Sequence, residues 1–115
     1  MALGQILTDL SEQMVGAANG YDPEGMLEWG RDMQAMEQVL TNIGGVLQAL
    51  QRGADDLPVN QVVKDTIGAV GELQSACSSA AAEIHATFRA VHHAELDRLE
   101  NPRPNEAKWD ASVNQ

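Results

Sequence analysis

Cysteine, aromatic residues and long apolar runs are scarce in this sequence of 115 residues, and each scarcity excludes a class of protein. The single cysteine, Cys77, cannot form a disulfide within the chain or supply a cysteine-based zinc site. Because aromatic residues make up only 3% of the chain, aliphatic side chains must build the core. No apolar run approaches the roughly 18 residues that span a bilayer, and the N-terminus lacks the basic segment of a secretory signal. We therefore expect a protein that is made in the cytoplasm and has no membrane span.

Positive charge is also in short supply. The chain has 7 basic and 17 acidic residues, a net charge of -10, and residues 1 to 28 contain no Lys or Arg. Since nucleic-acid phosphates repel such a surface, we expect no nucleic-acid partner. The sequence also lacks a glycine-rich phosphate loop, a Gly-x-Ser-x-Gly elbow and kinase motifs. We expect no enzyme activity, no catalytic residue and no cofactor.

Apolar residues recur at every third or fourth position, the spacing that places them on one face of an α-helix. Segments rich in Gly, Asp and Pro interrupt this pattern near residues 19–25 and 53–58, and Pro102 and Pro104 end it. The pattern predicts helices at about 2–19, 23–52 and 58–101. The predicted fold class is all-α, with one helical domain at 1–101 and a proline-containing tail at 102–115.

The second and third predicted helices each carry a stripe in heptad spacing. The second stripe contains Met26, Trp29, Met33, Met36, Leu40, Ile43, Leu47 and Leu50. The third contains Val59, Val63, Thr66, Val70, Leu73, Cys77, Ala80, Ile84, Thr87 and Val91. A short turn near residue 55 would make the two helices antiparallel, so that Met36 faces Leu73 and Met33 faces Cys77. We expect an antiparallel helical hairpin with an extra N-terminal helix, and a buried thiol at Cys77.

The third predicted helix is roughly 63 Å long, which exceeds what the second helix can cover. The first helix has two possible placements: it continues the line of the second and covers the far half of the third, or it folds back into a compact three-helix bundle. Uncovered apolar surface favours assembly into a helical-bundle dimer, with itself or with a similar helical chain. The residues expected to carry this association are Met26, Trp29, Met33, Met36, Leu40, Phe88 and Val91.

Two further groups of residues invite a functional interpretation. The last predicted helix contains His85, His92 and His93, but it lacks the His-Glu-x-x-His and paired Glu-x-x-His patterns of helical metal sites. We therefore expect solvated or interface histidines and no metal ligands. In the tail, Lys108, Trp109 and Asp110 form a candidate docking segment, in which the tryptophan supplies most of the contact. The alternative is that Trp109 packs back onto its own helices.

The small, acidic, helical chain, with a tail after its long last helix, resembles the WXG-motif helical-hairpin family exported by type VII secretion systems. The resemblance covers residues 26 to 115. His93 and Asp97 are similar to a His-x-x-x-Asp/Glu element near the end of the second helix in some members. The family's Trp-x-Gly turn and Tyr-x-x-x-Asp/Glu export motif are absent, since only Trp29-Gly30 approaches the first and the one tyrosine is Tyr21.

This resemblance implies a non-enzymatic protein-protein interaction module: a type VII secretion-like substrate or partner protein that acts as a dimer. It further implies a tail that engages a transport ATPase, and secretion by a route that needs no signal peptide. The alternative is an intracellular structural or adaptor subunit of a mobile-element, conjugation or phage assembly.

Overall fold

The computed structural model describes residues 2 to 102, most of which lie in four α-helices. The helices are α1 (Leu3–Ala18), α2 (Met26–Asp55), α3 (Gln61–Val91) and α4 (His93–Glu100). No β-strand occurs among the described residues, and the all-α prediction is confirmed. The predicted docking segment, Lys108, Trp109 and Asp110, lies outside the described residues.

Helices α2 and α3 pack side by side and run in opposite directions. Near the middle of the pair, the side-chain amide of Gln74 donates a hydrogen bond to the backbone carbonyl of Leu40. At the end farthest from the turn, Gly30 of α2 lies against the ring of Phe88 of α3. The two contacts fix the register of the helix pair.

The turn between α2 and α3 lies later in the chain than the sequence indicated. Helix α2 continues to Asp55 because Gly53 keeps a helical backbone; of the glycines in the described part of the chain, only Gly20 lies in the left-handed region. Helix α3 begins after its N-cap Asn60, whose side chain accepts a hydrogen bond from the Val62 amide at 2.9 Å. The turn is therefore centred near residue 58 instead of residue 55.

This shift changes which residues of the two helices face each other. The prediction that Met36 faces Leu73 and Met33 faces Cys77 is wrong, because Leu73 is 73% exposed and Cys77 is also exposed. Moving the centre of an antiparallel turn by three residues moves the partner positions by about six, or about 1.7 helical turns, which places the new partner position roughly 120° away around the helix. The face of α3 that was expected to meet α2 thus points elsewhere.

The single helix predicted at 58–101 is two helices in the structure. His92 leaves the helical conformation, with φ -103° and ψ 24°, and separates α3 from α4. The break lets α4 contact both α2 and α3, and its Leu96 is only 1% exposed. Because α3 ends at Val91, it is roughly 46 Å long, well short of the 63 Å that one continuous helix would reach.

Helix α1 packs against no other helix of the described chain. A linker with Gly20 at φ 74° follows it, and the hydroxyl of Tyr21 in this linker donates a hydrogen bond to Asp32 of α2. Neither expected placement of the first helix is observed. The molecule is elongated, at 74 × 29 × 18 Å, and its radius of gyration of 21.0 Å far exceeds the ~13 Å of a compact 100-residue domain.

Candidate interaction site

An aromatic cluster closes the helix pair at the end away from the turn. The rings of Trp29 and Phe88 meet edge to face with centroids 4.7 Å apart, and the His92 ring lies 5.6 Å from Phe88. Gly30 is buried beside them, and a β-carbon at this position would lie 2.8 Å from Cε1 of Phe88. Only a glycine leaves room for the aromatic ring to reach the α2 backbone here.

The residues predicted to carry self-association differ in their exposure. Five of them are half-buried within the described fold: Met26, Trp29, Met33, Leu40 and Phe88. The other two are exposed, Met36 at 39% and Val91 at 70%. The structure brings Trp29 and Phe88 together in a contact within the chain, and Phe88 and Val91 line the same shallow depression.

The heptad stripe of α3 is a regular feature of the exposed surface. Every stripe position within the helix is exposed: Val63, Thr66, Val70, Leu73, Cys77, Ala80, Ile84, Thr87 and Val91. We call these nine residues the outer stripe. Near its C-terminal end the outer stripe borders a shallow depression of about 460 Å³, whose lining includes Ile84, Phe88 and Val91.

Where α3 faces α2, its less exposed residues form a second stripe that includes Gln74, Ser78, Ala81 and Phe88. At its centre Gln74 donates to the Leu40 carbonyl and to the hydroxyl of Ser78 at 2.9 Å. Gly44 makes room for this side chain, since a β-carbon there would lie 2.7 Å from the Gln74 oxygen. Sequence reasoning missed Gln74, because a polar residue inside a helix interface gives no apolar signal; the neighbouring glycines of α2 were the one available sign.

The predicted export-type element, His93 and Asp97, lies on the exposed surface of α4. At the start of this helix the neighbouring His92 contacts the carboxylate of Glu95 through Nδ1 at 3.2 Å. His85 differs from the histidines of this end, because its Nδ1 is shielded from solvent and has no hydrogen-bond partner. No group of three or more metal-ligating side chains comes together within residues 2 to 102.

No family model, curated protein or solved structure matches the chain. Of the helices in the described part of the chain, none is long and apolar enough to cross a membrane.

Proposed function

We propose that this protein is a non-enzymatic helical interaction module that acts as a dimer, paired with itself or with a similar helical chain. The observation that carries the proposal is the contrast between its small core and its large exposed apolar surface. Among the described residues only Ala54, Ala81 and Leu96 are buried apolar residues, whereas Leu73 and Val91 are at least 70% exposed. Covering apolar surface yields about 25 cal/mol per Å², so a partner helix would add the stability that this thin chain lacks.

The proposed unit of assembly is the antiparallel hairpin of α2 and α3. The exposed stripe follows α3 for most of its length, so a partner hairpin placed along it would complete a helical bundle. Light scattering of the full chain at micromolar and higher concentrations tests this. We expect twice the chain mass of 12.4 kDa. A monomeric mass throughout, with helicity intact, would contradict it.

We further propose that the module serves a type VII secretion-like pathway as a WXG-type substrate or partner. Its acidity, its paired helices and the exposed His93 and Asp97 on α4 support this assignment. In this proposal the tail engages a transport ATPase through Lys108, Trp109 and Asp110. Secretion then proceeds without a signal peptide.

Fractionation of the source cells tests this second part. We expect the tagged full chain in the culture medium of cells that contain an FtsK-like ATPase, and its retention in cells that lack the ATPase. Trp109→Ala should block export and preserve the dimer, whereas Val113→Ala should leave both unchanged. A cytoplasmic enzyme serves as the marker for cell lysis. If the chain stays in the cell, the result would instead indicate the structural or adaptor subunit.

A further inference from the structure

We infer that the outer stripe of α3 is a coiled-coil seam that binds the α3 of a second copy in parallel and in register. In this arrangement the two Cys77 side chains face each other across the seam. The inference rests on the proposed dimer, and it adds the face, the partner and the orientation.

The spacing of the outer stripe is that of a coiled coil. Its positions alternate three and four residues apart from Val63 to Val91, over four heptads, and all are exposed. Numbered as heptads, the a positions are Val63, Val70, Cys77, Ile84 and Val91. Four of these five are β-branched, the residue type that favours two strands in parallel coiled coils when leucine occupies d, and Leu73 is the leucine among the four d positions. In such a pair identical a residues meet, which is why Cys77 faces Cys77 of the second copy.

A second helix can reach the outer stripe without displacing α2 from α3. The half-buried Gln74 and Phe88 that contact α2 occupy e positions, on one side of the outer stripe. The g positions on the other side are mostly alanines, at residues 69, 76 and 90. A second helix can therefore approach closely from the g side while α2 stays in place.

The charge of this face selects a second copy as the occupant. The chain carries a net charge of -10, yet the outer stripe contains no ionisable acid or base except the thiol of Cys77. Glu83 is the single carboxylate in the adjoining g row within α3. Two identical acidic chains can meet here without bringing their carboxylates together, and a basic partner would find little charge to pair with.

Helix α1 is too short to be the natural cover of this seam. It has 16 residues and is roughly 24 Å long, whereas the outer stripe extends roughly 42 Å from Val63 to Val91. Even when docked along α3, α1 would leave almost half of the seam exposed. A second α3 matches the seam along its whole length.

Two variants of the full chain test the seam, with helicity measured for each. Leu73→Glu places a charge at a d position that is 73% exposed in the single chain, so it should preserve folding and weaken dimerisation at least tenfold. Leu57→Glu is the matched control, because Leu57 is 60% exposed and lies in the turn. The control should leave the dissociation constant of the dimer unchanged.

Spin labels measure the geometry. The single native thiol allows labelling at Cys77. The distance between the two labels of a dimer should be that of side chains facing each other on helices whose axes are about 8–10 Å apart. A label introduced by Val63→Cys in a Cys77→Ser background should give a similarly short distance. An antiparallel pair centred on Cys77 would instead separate the Val63 positions by roughly 42 Å.

The outcomes separate this inference from the proposed function. A chain that is monomeric at all concentrations would overturn both. A dimer that Leu73→Glu does not weaken, or whose labels at either position are far apart, would overturn the parallel α3 seam and leave the proposed dimer standing.

Discussion

Gly30 of α2 lies in contact with the ring of Phe88 of α3, so closely that a methyl group on Gly30 would meet Cε1 of Phe88 at 2.8 Å. The same ring packs edge to face against Trp29, with centroids 4.7 Å apart. The absence of a side chain at Gly30 thus leaves room for the large side chain of Phe88 on the other helix. The close approach at this end of the helix pair depends on both residues.

Gly30→Ala should therefore destabilise the protein although alanine is the better helix former. Overpacking a tight contact lowers the stability by about 1–3 kcal/mol. Replacing glycine by alanine in a helix raises it by about 1 kcal/mol, which offsets only the lower end of that range. The control is Gly45→Ala, because a β-carbon on Gly45 has no neighbour within 4 Å. Urea unfolding at one fixed protein concentration should show Gly30→Ala below the wild type and Gly45→Ala above it. Equal stabilisation by both would contradict the Gly30–Phe88 contact.

Leu96→Ala tests whether α4 is docked on the helix pair. Leu96 is 1% exposed, and removing such a buried side chain costs about 2–5 kcal/mol. Leu99→Ala on the same helix is the matched control, since Leu99 is 50% exposed and its loss should change stability by about 0.5 kcal/mol or less. Thermal unfolding of the two variants side by side distinguishes them. Similar melting temperatures would mean that α4 is not held by Leu96.

The sequence was sufficient to predict the helical class and the main interruptions, because apolar spacing and Gly-Pro segments are local signals. It was insufficient for the break at His92, where neither glycine nor proline interrupts the helix. The burial of Leu96 depends on that break. A periodic apolar pattern also does not show which helix or partner it contacts. The sequence therefore predicts that the most regular stripe of α3, with Leu73 and Cys77, faces α2, whereas in the structure it is exposed.

The titration of Tyr21 should report the contact between the linker and α2. The hydrogen bond to Asp32 raises the pKa of Tyr21 from 10.0 to about 12, because the neutral phenol donates to the carboxylate. A folded pKa above the unfolded value means that the contact stabilises the fold fully below pH 10 and is lost as the pH rises through about 12.

Tyr21 is the only tyrosine of the chain, so its phenolate absorbance measures this one group. Asp32→Asn should bring the midpoint back toward 10.0, the ordinary value. Asp9→Asn on α1 is the control and should leave the midpoint near 12, because Asp9 is not among the groups that raise this pKa. A wild-type midpoint near 10 would show that the linker is not tied to α2 through Tyr21.

Gln74→Ala should destabilise the centre of the helix pair. The side-chain amide bonds both the Leu40 carbonyl and the Ser78 hydroxyl, and each net hydrogen bond contributes about 0.5–1.5 kcal/mol. Gln34→Ala is the control, since Gln34 is exposed on α2 and its replacement should change stability by about 0.5 kcal/mol or less. Guanidinium unfolding that gives equal midpoints for the two variants would exclude an interhelical role for Gln74.

The break at His92 gives the helix pair a direction. At one end α4 contacts both α2 and α3; at the other end the turn connects the two helices, and its Leu57 is 60% exposed. The two ends of the α2–α3 pair therefore differ in structure. The position of the break also sets the length of the helix pair, because moving the break by one heptad would lengthen or shorten α3 by roughly 10 Å.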